Sequence, residues 1–263
     1  MRRLLVRLGY FLLCRNLIPG TLLGLARDVA DRDLLKVLLE QLGIDCVFDV
    51  GAHTGGFATS LRRLGYRGHI VSFEPAPGVF AVLQNRFRGD ALWQGYNCAL
   101  GAEDTRMDLN VAELSNCSSF LRPKGFDVKE TIEVEVRRLD GVFGSLVASI
   151  PEPRVFLKLD TQGYDLEVLK GAQGCLDRIL GLQSEISVEA LYEGMPDYLD
   201  SLAQYNAQGF TLANLCTAAR NNRTKRVIEY DCLMVHDQTA PSATAEVVSS
   251  IQRDAVREQD RVR

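Results

Sequence analysis

In Val47-Phe48-Asp49-Val50-Gly51-Ala52-His53-Thr54-Gly55-Gly56-Phe57, residue types and spacing together imply chemistry. A short apolar run ends in an acid, a glycine follows two residues later, and a glycine pair begins four residues after that. Phe57, Leu61 and Leu64 then recur at helical spacing, with Gly65 placed as a C-cap. The pattern predicts strand, tight turn and helix, which brings backbone N–H groups close to a ligand at a helix N-terminus. A second apolar run, His69-Ile70-Val71-Ser72-Phe73, ends in Glu74, 23 residues beyond Gly51. An acid at about that distance reaches a ribose hydroxyl in nucleotide-binding βαβ units. These residues predict a site for an adenosine-containing cofactor. A glycine turn that serves only packing is the plainer alternative.

A second group lies further along. Asp160 closes the apolar run Val155-Phe156-Leu157-Lys158-Leu159 and precedes Thr161-Gln162-Gly163. This places it at the carboxyl edge of a parallel sheet, where α/β folds bind ligands. Its open roles are to receive a proton from a substrate hydroxyl, to orient a lysine, to ligate a cation, or to cap the following helix. Lys158, two residues earlier, shares its side of the strand; it either pairs with Asp160 or is a solvated edge charge. Glu185, near the end of the strand expected over 181–188, is placed to share the cleft. Paired acids suit a hard cation, but two residues are too few for a metal site, and no metal is assigned. His236, after the last apolar strand, is either a base or a surface residue. Tyr164 and Tyr192 are either substrate walls or structural aromatics.

The elements that must position these groups follow from periodicity. Residues 1–43 read as an N-terminal helical segment in two or three pieces, broken at Pro19-Gly20. Leu34, Leu35, Leu38, Leu39 and Leu42 form its last apolar stripe. Strand 46–50, helix 55–64, strand 69–73, helix 77–88 and a strand near 92–98 follow. This alternation predicts a mostly parallel, twisted sheet with helices on both faces. Residues 106–111 and 131–139 alternate like strands and predict a β-rich insertion. The α/β rhythm resumes at 155, with a helix from about 165 and closing strands near 209–214 and 227–235. The polar stretch 238–263 reads as a tail, so the expected catalytic domain is 44–237.

Composition narrows the class. At 263 residues and 46% hydrophobic content the chain suits one α/β domain with additions. A net charge of −4 argues against a general nucleic-acid binder. Seven cysteines without a C-x-x-C pair imply thiols and a cytoplasmic setting. Arg2, Arg3 and Arg7 precede Tyr10-Phe11-Leu12-Leu13, but Arg15 and Pro19 interrupt the apolar run. Residues 1–25 are therefore read as an amphipathic helix that packs on the core or touches a membrane surface.

The glycine spacing separates cofactor classes. A dinucleotide fingerprint wants G-x-G-x-x-G, and His53 holds the middle glycine position. Asp-x-Gly-x-x-x-Gly with an acid ending the next strand resembles motif I of S-adenosyl-L-methionine (SAM) methyltransferases. Adding Phe73-Glu74-Pro75, Ala99-Leu100-Gly101, Ser118-Ser119 and Lys158-Leu-Asp-Thr-Gln-Gly-Tyr-Asp-Leu-Glu-Val-Leu-Lys-Gly-Ala172, the chain from about 45 to 236 resembles FkbM-type methyltransferases. The resemblance implies a Rossmann-like class I methyltransferase fold and O-methylation of a sugar, glycan or natural-product hydroxyl; no nucleic acid is expected as partner, on the net charge given above. It implies that Asp49, Gly51 and Gly55 line the methionine end of SAM and that Glu74 binds the ribose. His53 sits in the same turn, where many members have a small or amide residue. Asn97, Cys98 and Ala99, at the end of the third strand, are placed beside adenine. In-line transfer then makes Asp160 the first candidate base, Glu185 the second, and Lys158 their partner. An NAD-dependent oxidoreductase and a non-catalytic SAM-binding module are the alternatives. Acceptor selectivity is expected in the 103–138 insertion and the 189–200 loop.

Overall fold

The computed structural model describes residues 33–113 and 115–236. The helices expected before residue 33, the role of residues 1–25 and the tail 238–263 lie outside the described residues. In chain order the elements are α1 (33–41), β1 (Cys46–Val50), α2 (Gly56–Arg63), β2 (His69–Phe73), α3 (Pro77–Arg86) and β3 (Trp93–Tyr96). Then come β4 (Ala99–Leu100), β5 (Thr105–Ala112), β6 (Val128–Arg137), α4 (Leu139–Leu146), β7 (Val155–Leu159) and α5 (Asp165–Lys170). The chain continues through β8 (Ile179–Ser187), α6 (Tyr198–Ala207), β9 (Phe210–Arg220) and β10 (Val227–His236).

Seven strands form one sheet in the order β3-β2-β1-β7-β8-β10-β9. The neighbours from β3 through β8 are parallel, and β10 runs antiparallel to both β8 and β9. Every residue of β1 and β7 is buried, as central parallel strands covered on both faces require. On one face Phe48, Val50, Leu157 and Leu159 pack with Leu139 and Phe143 of α4, Val168 of α5 and Tyr205 of α6. On the other, Val47 and Phe156 meet Leu35 and Leu39 of α1, Leu61 of α2 and Leu83 of α3. The leucine stripe before β1 is thus core on one side, with Leu34 at its exposed margin. The β-rich insertion is a three-stranded sheet in the order β4-β6-β5. Strand order reverses between β1 and β7, so their carboxyl ends flank the topological switch point, where such sheets bind ligands.

Three elements depart from expectation. The third strand ends at Tyr96, so Asn97 and Cys98 are linker and Ala99 opens the small sheet. Helix α4 was not foreseen, because Gly141 and Gly144 weaken its helical pattern although it buries Leu139, Phe143 and Leu146. Helix α6 starts inside the expected 189–200 loop, where the Asp197 carboxylate caps it by accepting from Leu199 N and Asp200 N. Among the described residues no helix is long and apolar enough to cross a membrane.

Candidate active site

The glycine turn sits at the switch point. Gly51 follows β1 at φ +76, a conformation that favours glycine. Its N–H and that of Ala52 both donate to the Phe73 carbonyl at 3.0 Å. A Cβ on Gly51 would lie 1.9 Å from the carbonyl oxygen of Asp160, and Asp160 N donates to Val50 O at 3.0 Å. The turn after β1 and the end of β7 therefore touch backbone to backbone. His53 is also left-handed (φ +47), and its N–H donates to Glu74 Oε2 at 2.9 Å. Partial burial holds its ring below the usual imidazole range. Gly55 precedes α2 at φ +82, and a Cβ there would lie 2.5 Å from Phe87 Cε2, so α2 packs closely at this glycine; it is not among the residues that line the cleft.

Glu74 is 7% exposed. Its Oε1 accepts from Ala76 N and its Oε2 from His53 N, both at 2.9 Å. Each oxygen keeps capacity for another donor. Burial, against these two N–H groups, raises its carboxyl to about 7. Glu74 borders a cleft that opens to solvent. Phe73, Pro75, Leu100 and Phe120 give the cleft apolar surface, while His53, Ser119, Asp160 and Gln162 give it polar groups. Of the residues expected beside adenine, only Ala99 lines it. The Asn97 amide donates to Glu74 O (2.9 Å) and Pro75 O (3.0 Å), buttressing the turn after β2. Cys98 faces a second cavity with Phe73, Tyr96 and Arg137.

Beyond the turn stands a charged cluster. Lys158 is 6% exposed, and its Nζ lies 2.9 Å from Asp160 Oδ2. Burial alone would lower the ammonium; the fields of Asp160 and Asp49 overcome this and hold it above the ordinary lysine range. Lys158 is thus paired, not a solvated edge charge. The Asp160 side chain is 40% exposed and lines the cleft. It makes no hydrogen bond to the helix behind it; Asp165 instead accepts from Thr161 N at 2.9 Å and from Ser184 Oγ at 2.6 Å. The capping role for Asp160 is thereby removed. Asp49 is 1% exposed and does not line the cleft. Burial raises it to about 6, opposed by Lys158, and Ser72 Oγ lies 3.5 Å from its Oδ2. It is a counter-charge beneath the turn.

Gln162, which the sequence did not single out, joins two of the acids. Its Nε2 donates to Asp160 Oδ1 at 3.1 Å and to Glu185 Oε2 at 3.2 Å. Glu185 is raised to about 8 by burial and by the nearby acids Asp160, Glu229 and Asp231. It stands behind Asp160, outside the cleft lining. Tyr192 is 1% exposed and Tyr164 packs against Phe120; neither is among the residues that line the cleft. His236 is buried against Phe210, where β10 ends beside the start of β9, at the sheet edge away from the cleft. Among the described residues no cluster of three or more His, Cys, Asp or Glu has the geometry to hold a metal ion.

The chain is similar to several solved structures. One is magnesium protoporphyrin IX methyltransferase from Synechocystis PCC 6803 with bound SAM, at 10% identity over 80% of each chain and a TM-score of 0.44. Another is an S-adenosylmethionine-dependent methyltransferase from Clostridium acetobutylicum ATCC 824, at 8% identity over 78% of this chain and 90% of that one, with a TM-score of 0.44. A third is Aeropyrum pernix fibrillarin with natively bound SAM, at 12% identity over 73% and 66% of the two chains, with a TM-score of 0.42. No curated protein sequence matches. Residues 49–212, more than half of the chain, match the methyltransferase FkbM domain, and the chain belongs to that family.

Proposed function

We propose that the chain is a SAM-dependent methyltransferase that methylates a hydroxyl oxygen of a small-molecule or glycan acceptor. The observation that carries the reading is the Asp160 carboxylate on the cleft, bonded to the buried Lys158 ammonium and touching the cofactor turn through Gly51. The residues present suit SAM. Glu74 keeps two acceptor positions for a ribose diol, Phe73, Pro75 and Leu100 offer apolar surface to a base, and Gly51 lets backbone approach a ligand closely. When bound, the cofactor supplies an electrophilic methyl group. Asp160 accepts the proton that the acceptor hydroxyl gives up, a contribution of about 10²–10⁴-fold. Lys158 supplies the counter-charge that keeps that carboxylate in place. The cleft walls hold the acceptor oxygen in line, which removes orientational entropy from the barrier.

Calorimetry with SAM, S-adenosylhomocysteine and NAD tests the cofactor. Binding of NAD and of neither sulfur compound would overturn the reading. Transfer of labelled methyl from SAM to a panel of sugars, glycans and polyketide alcohols tests the acceptor class. An alkali-stable ether product is expected; label found only on amines or thiols would refute the oxygen assignment.

A further inference from the structure

Gln162 occupies a left-handed backbone conformation (φ +53), uncommon for a residue with a long side chain. Such a conformation persists only where surroundings over-determine it, and here four hydrogen bonds do so. Its carbonyl accepts from Ser119 Oγ at 2.8 Å. Its Oε1 accepts from the Tyr192 hydroxyl at 2.8 Å. Its Nε2 is shared between Asp160 and Glu185. The Tyr192 hydroxyl is also 2.9 Å from the Cys117 carbonyl, so the phenol spans the short loop before Ser119 and the amide. The amide's orientation is set chemically. The Asp160 carboxylate needs donors, and within the amide only Nε2 provides one; the reverse rotation would turn Oε1 against it.

We propose that Gln162 is a positioning residue, which aims Asp160 into the cleft and ties that aim to the seating of the 117–121 loop through Tyr192 and Ser119. The proposal rests on the methyltransferase reading of the same cleft. Ser119 and Phe120, on that loop, line the cleft themselves. An acceptor that presses the loop down therefore acts on Asp160 through one rigid side chain. A glutamate at 162 would add a third acid, and an asparagine is one methylene shorter than the span from backbone to both carboxylates.

The test uses full-length protein with ¹³C-labelled glutamate carboxyls, Glu185 being assigned with Glu185→Gln. In Gln162→Met the Glu185 titration midpoint should rise by about one pH unit, because the carboxylate loses a donor. Exchange of the Ser119 and Leu121 amides, which donate to Asn110 O and Ser119 Oγ, should quicken about tenfold. Tyr192→Phe removes the phenol's anchor without touching either acid and should shift both readouts in the same directions by less. S-adenosylhomocysteine affinity, measured by calorimetry, should stay within about threefold in Tyr192→Phe, since Tyr192 does not line the cleft. An unmoved Glu185 midpoint together with unmoved loop exchange, in either folded variant, overturns the proposal. Wild-type protein that binds no S-adenosylhomocysteine overturns the methyltransferase reading instead, while the titration still reports on the clamp.

Discussion

Cofactor binding should release protons below pH 7, and Glu74→Gln should abolish most of that release. Burial lifts Glu74 from the ordinary 4.5 to about 7. The folded value lies above the unfolded one, so the ligand-free fold favours the neutral acid. That contribution to stability is full below about pH 4.5 and is lost as pH rises through 7. A shift of about 2.5 units corresponds to about 3 kcal/mol. A bound ribose reverses the preference, because two hydroxyls donate to a carboxylate better than to a carboxyl group. At pH 6 about nine in ten ligand-free molecules carry the Glu74 proton, so affinity should fall nearly tenfold per further unit and be flat above about pH 8. Asp49 (about 6) and Glu185 (about 8) titrate in the same window, but neither lines the cleft, so their share should be smaller. Calorimetry of S-adenosylhomocysteine in buffers of different ionisation enthalpy should count about one proton released at pH 6 and almost none at pH 9. Glu74→Gln keeps one backbone N–H bond but turns an amide donor toward the other, so its affinity at pH 8 should drop by about 10–100-fold. Wild-type affinity independent of pH between 5.5 and 8.5 would refute the reasoning, as would an unchanged proton count in a folded Glu74→Gln protein.

Gly51→Ala should cost at least about 3 kcal/mol in urea unfolding, from left-handed strain plus a Cβ 1.9 Å from the Asp160 carbonyl; a loss under about 1 kcal/mol would mean that the two loops separate freely. Asp160→Asn should slow single-turnover methyl transfer by about 10² or more with SAM affinity nearly kept, and a rate within about threefold of wild type would move the base to Glu185. The same change leaves the buried Lys158 ammonium with Asp49 and Asp231 as counter-charges, so melting should reveal a cost of about 1–3 kcal/mol, discounted because Asp160 is 40% exposed. Leu61→Ala, at a position fully buried between α2 and the sheet, should cost about 2–5 kcal/mol while leaving the acids untouched.

The parts of the site that were legible in the sequence are those held by local geometry. Gly51, Glu74, Lys158 and Asp160 each end or follow an apolar strand, and a strand's period fixes where its last residues stand. The illegible parts depend on contacts between distant segments. Gln162 is bonded to Glu185 and Tyr192, 23 and 30 residues away, and nothing in its own neighbourhood announces that. The close packing of Gly55 against Phe87, at the end of the next helix, is likewise invisible from its own turn. The Asn97 amide donates to the Glu74 and Pro75 carbonyls, more than 20 residues back, a contact that its own neighbourhood does not announce. In the fold, the βαβ core was readable from alternation, while β4, at two residues, is too short to carry a period.

The contact between Gly51 and the Asp160 carbonyl bears on redesign. With no room for one carbon between them, the turn after β1 and the end of β7 form a single mechanical part, and neither backbone can be re-aimed without displacing the other. Laboratory evolution toward a new acceptor would therefore find few improvements at those positions. Variation should accumulate on the stretch from Asn116 to Leu121, which borders the same cleft through side chains and is fastened to Gln162 by the Ser119 hydroxyl, a bond that substitution can redraw.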